Sequence, residues 1–95
     1  MRAADLLTLI TNSPTKNEYH GVYLSDHDKI QPLTSIKMTE NNQCVLFFTD
    51  NTKPLSMNEL LLFLMKNREK ELLYQKEQEI FPLYGLKETN NQLLI

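Results

Sequence analysis

Leu60 to Met65 is an unbroken apolar run, Leu-Leu-Leu-Phe-Leu-Met, and it follows a helix-start signal made of Ser56 with Glu59 three positions later and Pro54 just outside. A serine at that place caps the free amides of a first turn while the glutamate reaches back to the cap, so a helix is predicted to begin at Met57. A helix apolar on every side has no face to give to water and must be covered on more than one side. That requirement selects folds in which the helix lies between a sheet and a second layer. Beyond Lys66 the chain turns polar to Glu71, and Leu72, Leu73, Ile80 and Phe81 then restore a hydrophobic edge before Pro82. Lys66/Glu69, Arg68/Glu71 and Lys76/Glu79 stand three apart, the spacing of ion pairs along a solvated helix face. Read as one helix from Met57 to Ile80, the segment is about 35 Å long at ~1.5 Å per residue, more than a domain of this size covers. Residues 66–95 are therefore expected to project as helix and tail.

Upstream, Ala3, Leu6, Leu7 and Ile10 recur at helical spacing until Asn12-Ser13-Pro14 stops them. So short a helix is marginal alone, and its stripe must pack on something else. Glu18 to Ser25 alternates about Tyr19, Gly21 and Tyr23 and ends in the turn-prone Ser25-Asp26-His27-Asp28, which describes a first strand. Ile30 to Met38 reads as a second, with Pro32 arguing for an edge position or a late start. After the polar connection Glu40-Asn41-Asn42-Gln43, the run Cys44-Val45-Leu46-Phe47-Phe48-Thr49 reads as a central strand covered on both faces. Leu83 to Ile95 is broken by Gly85 and Asn90-Asn91 and finishes on Leu93-Leu94-Ile95, an apolar end expected to dock as a short strand or extended segment. The predicted fold is α+β: a short N-terminal helix, a three-stranded antiparallel meander, a long C-terminal helix and an ordered tail.

A chain of 95 residues supports one domain. Its net charge of −2 is spread evenly: five Lys/Arg against six Asp/Glu precede Ser56, and the same tally follows from it. Nucleic-acid binders draw most of their affinity from clustered Lys/Arg, and this balance leaves nucleic acid as the lesser alternative. Cys44 is the single cysteine, so no disulfide framework exists and a reducing compartment fits. No signal-peptide pattern and no apolar stretch of membrane-spanning length is present, and the expected location is cytoplasmic.

Few residues suggest chemistry. His20, Asp26, His27 and Asp28 are candidate metal or acid/base groups, yet Asp26-His27-Asp28 lies in a predicted turn, where aspartate is favoured for capping backbone amides, and adjacent turn residues seldom converge on an ion. Cys44 opens the most hydrophobic strand, and a free cysteine there reads as core; a thiol enzyme would need His20 beside it. Gly21 and Gly85 are too far apart for a phosphate-cradling loop. Tyr19, Tyr23, Phe47 and Phe48 lack the interleaved Arg/Lys of a base-stacking platform. No catalytic residue, metal site or cofactor is expected. Leu72, Leu73, Ile80 and Phe81 lie beyond what the first helix and sheet can serve, and a heptad counted from Leu62 meets Glu69 and Lys76, which argues against a regular coiled coil. With Leu93, Leu94 and Ile95 they form the candidate interaction surface of a self-associating accessory protein, a dimer before any other partner.

Asp5-Leu6-Leu7-Thr8-Leu9-Ile10, Leu33-Thr34-Ser35-Ile36, Val45-Leu46-Phe47-Phe48 and Ser56-Met57-Asn58-Glu59-Leu60-Leu61 resemble small uncharacterised proteins of bacterial phages and mobile elements. The resemblance covers roughly the first two thirds of the chain. It implies a short helix, a few strands and a terminal helix, and it carries no activity and no functional residues. A regulator associated with nucleic acid in such an element is the alternative function.

Overall fold

Ala3, Leu6, Leu7 and Ile10 do form one face of a helix, α1 (Ala3–Thr11), and all four are buried. The computed structural model describes residues 1–12, 19–50 and 52–95; Ser13, Pro14 and Glu18, which the sequence places at a helix stop and a strand start, lie outside them. After α1 come β1 (Gly21–Asp26), β2 (Lys29–Met38), β3 (Gln43–Phe48), α2 (Met57–Lys66), β4 (Glu71–Lys76), β5 (Glu79–Pro82), β6 (Lys87–Thr89) and β7 (Gln92–Leu94). The strands form one mixed seven-stranded sheet in the order β5-β4-β3-β2-β1-β7-β6.

This architecture corrects the three-stranded sheet with a long C-terminal helix. α2 starts at its serine cap, where Ser56 Oγ accepts from the Glu59 amide at 3.1 Å, but it ends at Lys66. There Asn67 donates from its side chain to the Phe63 carbonyl at 2.8 Å, using up a carbonyl that a continuing helix needs. The chain then forms the β4–β5 hairpin, with Leu73 opposite Pro82, Tyr74 opposite Phe81, Gln75 opposite Ile80 and Lys76 opposite Glu79. Lys76 and Glu79, three apart in sequence, are the closing cross-strand pair of a two-residue turn, an arrangement with the same sequence spacing as a helical ion pair. Nor is α2 buried all round: Leu60 and Leu64 are buried, while Leu62 and Met65 face water.

The expected meander survives as β1–β2–β3, now the middle of a larger sheet. Two parallel ladders flank it, β3 with β4 and β1 with β7. Pro32 is therefore on the central strand, not an edge. It sits beside a register shift between Leu33 and Ser35, where a missing amide is tolerated.

The connection Leu83–Leu86 dictates the curvature. It carries the chain from β5 to β6, the opposite edges of the sheet. Six strand-to-strand steps of ~4.8 Å make a flat sheet about 29 Å wide. Five residue steps of ~3.4 Å reach only about 17 Å, so the sheet must curl into a half-barrel. Leu83 is buried and Leu86 packs against the core. The core occupies the inner side of this curve: α1 and α2 add Leu6, Leu60 and Leu64 to Leu24, Leu33, Leu46, Leu72 and Leu93 from the strands, all nearly or fully excluded from solvent. Each such leucine contributes roughly 1.5–3 kcal/mol by its burial. No described helix is long and apolar enough to cross a membrane.

Candidate functional site

Side chains of a strand alternate between faces, so directly paired residues sort the sheet into inner and outer sets. Cys44, Leu46 and Phe48 of β3 belong to the core cluster; Val45 is only 2% exposed yet stands outside it, on the outer face. The outer face then reads off the ladders. One row runs Lys37, Val45, Leu73, Pro82, a second joins Ser35 with Phe47, and a third runs Pro32, Tyr23, Leu94, Lys87. Gln75 and Ile80 face outward on β4 and β5, and Ile30 opposite Ser25 on β2 and β1.

A sheet with one wetted face ordinarily alternates apolar-in and polar-out, whereas parallel ladders are apolar on both faces because both are normally covered. Here each parallel ladder carries one apolar pair outward, Val45 with Leu73 in β3–β4 and Tyr23 with Leu94 in β1–β7. Among the described residues both helices lie on the inner side, and the outer face has no covering layer. Its charges are of both signs. Lys37 lies with its ammonium 5.3 Å from the Phe47 ring centroid, and Glu71 accepts from Gln43 at 3.3 Å.

The residues singled out from sequence divide between the faces. Leu72 and Leu93 are fully buried in the inner core, and Phe81 is half-buried on that side, its ring centroid 5.6 Å from that of Tyr74. Ile95 packs against the core and exchanges backbone hydrogen bonds with Tyr23 and Ser25. Leu73, Ile80 and Leu94 are on the outer face, Ile80 more than half exposed. Sequence reasoning missed Phe47 and Tyr23 as half-buried residues of the outer face, and Val45 as a buried one on that side, although an apolar run in a strand puts every second member on the far side.

Cys44 and His20 are not brought together. Cys44 is buried on β3 against Met38, sulfur to sulfur 3.3 Å, while His20 is exposed beside β1, beyond the intervening β2. Burial pushes the Cys44 thiol above its ordinary value, with Lys70 opposing, so it is held as the unreactive thiol. Asp26, His27 and Asp28 do form a turn, but the curl of the sheet sets it against the β4–β5 turn: Lys76 Nζ is 3.7 Å from Asp26 Oδ1. An open cleft of about 530 Å³ lined by Met1, Arg2, Asp5, Glu69 and Glu71 lies at the start of α1.

No family model, curated protein or solved structure matches the chain.

Proposed function

We propose that the chain is a non-catalytic interaction protein that self-associates through the outer face of its sheet, a second copy being the partner. The observation that carries this reading is the pair of apolar ladder partners on the outer face, Val45 beside Leu73 and Tyr23 beside Leu94, of which Leu73, Tyr23 and Leu94 are half-buried while Val45 is already covered by its neighbours. A second copy suits the face because its apolar rows are bordered by Lys37 and Lys87 on one hand and Glu71 on the other. Charges of both signs around an apolar middle are what a two-fold interface between identical copies requires if its charged groups are to pair. The small net charge of −2 adds little repulsion between copies.

Sedimentation equilibrium over a concentration series is the test. The wild-type chain is expected to pass from monomer to dimer. Phe47→Gln and Ile80→Lys each raise the dissociation constant by about tenfold or more, equivalent to ~1.4 kcal/mol, with circular dichroism and thermal midpoint little changed. A strict monomer at millimolar concentration, or a dimer indifferent to both changes, refutes the reading.

A further inference from the structure

The β1–β2 and β4–β5 hairpins each close through a two-residue turn, Asp26-His27-Asp28-Lys29 with His27 alone at positive φ and Lys76-Glu77-Gln78-Glu79 with both Glu77 and Gln78 there. β1 and β4 are three strand steps apart in the sheet, about 14 Å if it were flat. The curl removes that separation. Asp26 Oδ1 lies 3.6 Å from His27 Nε2 and 3.7 Å from Lys76 Nζ, and the ligating atoms of Asp26, His27 and Glu77 all fall within 4.8 Å of one another. Two ligands on a tetrahedral ion with bonds of ~2.0–2.2 Å stand about 3.4 Å apart. The Asp26–His27 spacing is close to that and too long for a hydrogen bond.

A second observation comes from the oxygen itself. Asp26 Oδ1 is shut off from solvent and accepts no hydrogen bond. A buried carboxylate oxygen in that condition is costly unless a cation faces it. The Lys76 ammonium, on a side chain one-third exposed, answers it only at 3.7 Å.

We propose that Asp26, His27 and Glu77 bind a divalent ion of the zinc class, through one carboxylate oxygen from each acid and Nε2 of His27, with water in the fourth position and Lys76 displaced to solvent. One imidazole with two carboxylates favours such an ion over magnesium or calcium, which take oxygen ligands alone. The bound ion ties the two turns together across one mouth of the half-barrel.

Calorimetric titration of the full chain with zinc chloride in a non-chelating buffer, with magnesium chloride as control, tests the site. One equivalent of zinc binds and magnesium does not. His27→Ala and Glu77→Gln, both at exposed turn positions, each weaken zinc binding about tenfold or more. Lys76→Met removes the competing ammonium and tightens binding, and His20→Ala leaves it unchanged. Circular dichroism confirms that each variant is folded. The proposal is overturned by absence of saturable zinc binding, by binding undiminished in both His27→Ala and Glu77→Gln, by a folded Lys76→Met that binds more weakly, or by loss of binding in His20→Ala.

Discussion

Replacing Gln78 by glycine distinguishes the hairpin from a helix by the sign of its effect. Glu77 and Gln78 have φ of 50° and 71°, the left-handed conformation of a type I′ turn, with no glycine or asparagine to ease it. A side chain there costs about 1–2 kcal/mol. Glycine relieves that cost but gives the unfolded chain extra freedom worth ~0.5–1 kcal/mol, so Gln78→Gly is expected to stabilise by about 0.5–1 kcal/mol. For a domain of this size ~1 kcal/mol moves the midpoint by about 4–8 °C, which puts the rise at roughly 2–8 °C. In a helix from Met57 to Ile80 the same glycine would be an interior defect, lowering stability by about 1 kcal/mol. Thermal and urea unfolding followed by circular dichroism reads the difference. A lowered midpoint refutes the hairpin, because Gln78 is exposed and nothing else is lost with its side chain.

Leu72→Ala opens a cavity at a fully buried site and is expected to cost about 2–5 kcal/mol in urea unfolding. The same truncation at outward-facing Ile80 costs under about 1 kcal/mol, and equal losses at the two positions refute the division of faces. Ser56→Ala removes the oxygen that receives the Glu59 amide and should lower stability by about 1 kcal/mol, with no change counting against the cap. The Cys44 thiol is pushed up from its ordinary value, first by burial, so folding favours its neutral form. Its contribution is complete below the unfolded value and is lost as pH rises through the folded one. Stability of the wild type measured from pH 8 to 11 should fall more steeply than that of Cys44→Ala, and parallel curves refute the burial argument.

Where one signal had one meaning, the sequence was legible. The Ala3–Ile10 stripe, the Ser56/Glu59 cap, the Ile30–Met38 alternation and the Cys44–Thr49 apolar run each landed within a residue or two of an element, and Glu18–Ser25 overlaps β1. The hairpin was not legible because its signals are shared with a helix. Lys76 and Glu79 suit both, and the turn uses Glu77 and Gln78 where asparagine and glycine would have announced it. Long-range partners were hidden for a different reason. The pairing of β7 with β1 joins residues about seventy positions apart, and local periodicity carries no information about it. Glu77 could not be grouped with Asp26 and His27 until the curl of the sheet set the two turns side by side.

The same ambiguity explains the outer face. On a helix, adjacent leucines can share one broad buried stripe. In a strand they cannot, since neighbouring side chains point to opposite sides. Once Leu72 and Leu73 lie in β4 and Leu93 and Leu94 in β7, Leu72 and Leu93 go into the core and Leu73 and Leu94 must go outward. Val45, between Cys44 and Leu46, follows the same rule. The outward pairs are thus a direct consequence of apolar doublets in strands that pair in parallel.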